Sequence, residues 1–152
     1  MRLIVASAAI LFLTVLPPAR AMSSHESDSM DAASLAQLEM RADHAQVKEQ
    51  CILYTELVHD YIEIASRQLA AGDMEQASHS LKRVQTFAER IHQGLARDSK
   101  RLKNAEMIVH AAAFHLGQFL RQMSSEDTPV VEATLKQLNR LHDELLAQVF
   151  AH

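Results

Sequence analysis

"RIHQGLARDSKRLKNAEM", residues 90–107, decides how many helices this chain has. Upstream of it, Met74, Ala77, Leu81, Val84, Ala88, Ile91 and Leu95 step by three and four, the spacing of one helical face. Downstream, Leu102, Ala105, Val109, Ala112, Leu116, Phe119 and Met123 continue in the same phase, with Asp98 the only polar interruption. A reversing loop near 97–99 has no reason to keep that phase, and it would usually carry Gly or Pro. The spacing therefore predicts one helix from about 74 to 123, on the order of 75 Å long. A break near Asp98 is the alternative.

Working outward, only two stretches read as breaks. "AAGD", residues 70–73, sets Gly72 as a helix stop and Asp73 as the next N-cap, with Gln76 in capping-box position. "SSEDTP", residues 124–129, sets Thr128 as a cap and Pro129 at the first helical position. No stretch alternates as a strand does. The first helix, about 31–70, carries two apolar stripes on nearly opposite faces. Val47, Cys51, Tyr54, Val58, Tyr61 and Ala65 form one; Leu35, Leu38, Ala42, Ala45 and Ile52 form the other. The first should pack on residues 74–95 as an antiparallel hairpin. The second needs a kink back onto the bundle, or another molecule.

Within that hairpin, Tyr61, Ile64, Ala65, Ala77 and Leu81 resemble the spacing of a tetratricopeptide repeat. Gln68 and Glu89 stand where that pattern has an aromatic residue and a proline. No second copy follows one period on, at Ser99 and His115. The likeness is that of packed helical hairpins in general.

The opening, "MRLIVASAAILFLTVLPPARAM", has the form of a secretory signal peptide. Arg2 is its positive end, Leu3–Leu16 its apolar core, and Ala19-Arg20-Ala21 its cleavage site. The apolar run is shorter than the roughly 20 residues that span a bilayer. The expected product is exported, to periplasm or medium, without a stable membrane anchor. It would have a polar leader over 22–30 and a single domain over 31–152. Cleavage after Ala21 removes Arg2 and Arg20, leaving 13 basic residues against 19 acidic. That balance argues against nucleic acid or anionic lipid as the main partner. Cys51 is the only cysteine, so no internal disulfide can form; its place on an apolar stripe predicts a small buried hydrophobe.

Nine histidines and seven methionines invite a metal or cofactor reading. Glu-x-x-His occurs twice, as Glu56/His59 and Glu89/His92, the motif of carboxylate-bridged di-metal bundles. Both pairs point away from their own apolar stripes, whereas such a site needs ligands converging inside. A c-type haem is excluded for want of Cys-x-x-Cys-His. In "LKQLNRLHDELLAQVF", residues 135–150, His142 stands among Leu135, Leu138, Leu145 and Val149 where a leucine is expected. It reads as a core-edge histidine bonded to a neighbouring helix; the other reading is a haem or metal ligand, with Met40 its natural partner. No nucleophile elbow, phosphate loop or acid/base pair is present, so no catalytic residue is assigned.

Met107, Ala111 and Phe114 form a second apolar row on the far side of the 105–120 helix. The Leu35/Leu38 stripe could cover this row, or a second chain could. Together these features predict an all-α, elongated, antiparallel bundle of three long helices, or four with a break near Asp98, packed like a coiled coil. The role expected of it is that of a non-enzymatic interaction or scaffold protein without cofactor, binding a protein partner or a second copy of itself.

Overall fold

A computed structural model describes residues 24–95, 101–123 and 128–151. Five α-helices follow one another: α1 (Ser24–His44), α2 (Val47–Ala71), α3 (Met74–Gly94), α4 (Leu102–Leu120) and α5 (Pro129–Ala151). The expectation of three or four long coiled-coil helices is overturned at two places. The expected helix from 31 to 70 breaks at Ala45–Gln46, and the expected helix from 74 to 123 stops at Gly94 and restarts at Leu102. The described helices have 19 to 25 residues, or about 29–38 Å at 1.5 Å per residue. The expected signal peptide lies in residues 1–21, outside the described residues, and the polar stretch after it is helical from Ser24.

The two boundaries read from cap chemistry stand where expected. Gly72 adopts φ 77°, a left-handed conformation that favours glycine. Its N–H reaches the Leu69 carbonyl and the Asp73 N–H the Gln68 carbonyl, closing α2 with a Schellman motif. The Asp73 carboxylate then accepts the Gln76 N–H and opens α3. Pro129 begins α5, and the Thr128 carbonyl accepts the Glu132 N–H.

The helices pack as α2 against α3, α3 against α5, α5 against α4 and α4 against α2. They therefore occupy the corners of a square, with α3 and α4 on one diagonal; among the described residues no contact joins those two. Cross-helix bonds give the directions. Gln85 meets Thr134 and His92 meets Glu144, so α3 and α5 run parallel. His142 meets Glu106 while Leu135 lies against Gly117, so α4 and α5 run antiparallel. The chain thus reverses between α3 and α4. It keeps its helical phase because both helices line one core: Ala77, Leu81, Val84 and Ile91 of α3 and Ala105, Val109 and Leu116 of α4 are all buried. Leu95 and Leu102 are seven residues apart, two helical turns, so equal phase carries no information about continuity. α3 runs to Gly94 and is capped by Leu95 in a right-handed conformation, so its end lacks the left-handed glycine that marks the end of α2. Arg101, at φ 62°, precedes α4 in a conformation uncommon for a residue with a side chain.

α1 folds back antiparallel along α2 and buries Leu35 and Ala42 against it, with Leu38 partly covered. Of the two covers expected for the second stripe of the first helix, a kink back onto the bundle or another molecule, the structure has the kink. Cys51 is buried, as its place on the α2 stripe implied.

Candidate interaction site

Three of the seams between neighbouring helices each carry one histidine–glutamate hydrogen bond. His115 Nδ1 lies 3.0 Å from Glu63 between α4 and α2. His92 Nδ1 lies 2.6 Å from Glu144 between α3 and α5, and His142 Nε2 lies 2.8 Å from Glu106 between α5 and α4. A carboxylate only accepts, so in each pair the ring nitrogen named carries the proton. The remaining seam, α2 to α3, is bonded by Ser80 Oγ donating to Gln68 at 2.7 Å.

His142 is therefore a half-buried residue with a partner on the next helix. The buried stripe of α5 is Val131, Thr134, Leu138, Leu141 and Leu145; Leu135 and Val149 are only partly buried. The core face is thus turned toward Leu141, and His142 sits on its flank, its ring 4.9 Å from that of the exposed His110. Met40 is exposed on α1, which makes no contact with α5 among the described residues, so His142 and Met40 are not brought together. His59, Glu89 and His92 are exposed and Glu56 is half-buried. Among the described residues no group of three or more His, Cys, Asp or Glu is placed to hold a metal ion.

A second arrangement, missed in the sequence, ties α1 to the hairpin of α2 and α3. The Tyr54 hydroxyl donates to Asp43 at 2.9 Å, and the Arg90 guanidinium donates to Asp43 and, at 3.2 Å, to the Tyr54 oxygen. One turn along α1 and two along the hairpin, Tyr61 donates to Glu39 at 2.8 Å and Arg83 pairs with Glu39. Phe87 lies between the two sets, with the Tyr54 ring at 5.9 Å and the Tyr61 ring at 5.8 Å. Arg83 stands 4.8 Å from the centre of the Phe87 ring, within cation–π reach. Burial pushes both phenols above their ordinary value, the carboxylates adding to the shift and the arginines opposing it. The signal was present as spacing: Glu39/Asp43 are four apart, and Tyr54/Tyr61 and Arg83/Arg90 each seven. It has meaning only once α1 folds back.

The apolar row of α4 is where the chain offers contact area. Met107 is 58% exposed and Phe114 61% exposed, with the exposed Ala111 between them. The opposite side of the same helix is buried. Leu35 and Leu38 do not meet this row; they are spent on the α1–α2 contact. No family model, characterised protein or solved structure significantly matches the chain.

Among the described residues the molecule is an all-helical domain with no metal-holding cluster, and none of its helices is long and apolar enough to cross a membrane.

Proposed function

We propose that the protein is an exported, non-enzymatic interaction module that binds a protein partner through the outer face of α4. The observation carrying this is the Met107–Ala111–Phe114 row. Two large apolar side chains two turns apart stand largely in solvent on a helix whose other face is fully used by the core. Scattered exposed apolar residues are ordinary, but a contiguous row is the form that contact sites take. Methionine beside phenylalanine adapts its shape to an apolar partner surface. The excess of acid over base directs the choice toward protein rather than nucleic acid. The opening sequence, with its positive end, apolar core and Ala-Arg-Ala site, supports export.

A photo-reactive phenylalanine analogue at position 114, expressed in the cell of origin, tests the reading. It should give a discrete adduct in the exported fraction, lost when Met107→Glu is added. The same probe at Phe150, 82% exposed on α5, should not give that adduct. Equal labelling from both positions, or none from 114, would remove α4 as the contact face.

A further inference from the structure

We propose that α1 is an exchangeable arm and that the occupant it trades with is the α1 of a second copy of this chain. In the exchanged dimer each α1 would lie on the partner's α2–α3 hairpin, making the Tyr54–Asp43–Arg90 and Tyr61–Glu39–Arg83 contacts between chains instead of within one. Each folded unit would keep its five helices.

The first support is the register. Leu35, Glu39, Ala42, Gln50, Tyr54 and Tyr61 all lie at the α1–α2 contact. On one continuous helix joined through Gln46, at 100° per residue, these positions fall within an arc of about 120°, Tyr54 and Tyr61 being the edge of their stripe nearest to Leu35 and Ala42. A straightened α1–α2 segment would therefore present both contact faces on one side. Since α1 and α2 already pair antiparallel, two such segments side by side reproduce every pairing seen in the single chain. This is the self-complementary geometry of a two-fold dimer.

The hinge is the second support. It consists of Ala45 and Gln46, with neither Gly nor Pro. Gln46 occupies the N-cap of α2 at φ −63°, ψ 143° with no side-chain capping bond. A helix start leaves backbone N–H groups without helical partners, and continuing the helix would supply them. Arg41, His44, Ala45, Glu49, Ile52 and Arg101 border an open cleft of about 550 Å³, and Val47 beside it is 41% exposed.

What holds α1 is specific and confined to the hairpin. Among the described residues its one backbone neighbour is α2, and its side chains meet α3 at Arg83 and Arg90. Among the described residues α1 makes no contact with α4 or α5.

The test uses the full exported chain, annealed by warming and cooling at high concentration, then sized by chromatography with light scattering. Wild type should yield a dimer that persists on dilution in the cold. Gln46→Pro keeps the observed φ and forbids a continuous helix; it should stay monomeric with its helix content unchanged. A second experiment mixes two variants, Glu39→Arg with Asp43→Arg in one chain and Arg83→Glu with Arg90→Glu in the other. Each chain alone has like charges facing across its own arm. Annealed together they should form a one-to-one dimer that melts above either parent. A wild type that is monomeric after annealing, a dimer that Gln46→Pro leaves intact, or variants that melt independently after mixing would each overturn the exchange. The α4 row takes no part in these contacts, so the outcome leaves the reading of α4 untouched.

Discussion

His142 shows how one residue's meaning depends on which of its neighbours are buried. By its spacing from Leu138 and Leu145 it stands where a leucine is expected, at the edge of the core. In the structure its ring holds the half-buried Glu106 carboxylate at 2.8 Å, and the core position is taken by Leu141. His142→Leu therefore leaves Glu106 without this partner. It should destabilise the fold by about 1 kcal/mol, near the lower end of the ~1–3 kcal/mol for a polar group deprived of its partner, since Glu106 still reaches solvent. Glu106→Leu in the same chain should recover most of that loss, because both polar groups are then gone. Urea unfolding of the two single variants and the double variant measures the coupling; additive losses would show that the bond is worth nothing.

At the scale of helices, α1 is attached by hydroxyls and arginines as much as by apolar area, and this makes its attachment sensitive to alkali. Burial raises both phenols, Tyr54 and Tyr61, above 10.0, their ordinary value. A folded-state value above the unfolded one means that the folded chain keeps its proton where the unfolded chain loses it. The associated stability is complete below the unfolded value and declines as pH rises past it toward the folded value. Thermal melts should thus be flat in this respect up to about pH 10 and fall beyond it. Ultraviolet absorbance should show the two phenols ionising late. With Tyr54→Phe and Tyr61→Phe together, that alkaline slope should vanish. The break that frees α1 was readable, though only as a change of stripe: between Ala45 and Val47 the centre of the apolar stripe moves to the other side, while the residues of the α1–α2 contact stay on the edges that the two stripes turn toward each other, and no Gly or Pro marks the place. Cap chemistry is local, which is why the turns at Gly72 and Pro129 could be read directly.

For the molecule as a whole, the path from α3 to α4 is what the apolar pattern could not show. Both helices face one core from opposite corners, and a seven-residue spacing leaves the helical phase intact. No left-handed glycine marks the end of α3, and two helices sharing a core are bound to keep one rhythm. Spin labels at the exposed Lys82 and Gln118 decide the matter in solution. A straight helix would hold them about 54 Å apart, whereas a reversed chain, with neighbouring axes about 8–10 Å apart, brings them below roughly 30 Å. A long distance would restore the three-helix reading. The exposed Met107–Phe114 row, by contrast, was legible from spacing alone, since a second stripe on an already buried helix has to lie outside.

The diagonal placement of α3 and α4 also bears on how the chain assembles. Each hairpin, α2 with α3 and α4 with α5, closes over neighbours in sequence. The bonds between hairpins join residues 49 to 52 positions apart: Gln85 with Thr134, His92 with Glu144, His115 with Glu63. Short closures lose less chain entropy than long ones and form first. The two hairpins should therefore form first and meet late, with the histidine–glutamate pairs across the meeting face as pins. Sliding one hairpin along the other by a single turn would pull both inter-hairpin pins out together, so docking has one register in which every seam is bonded.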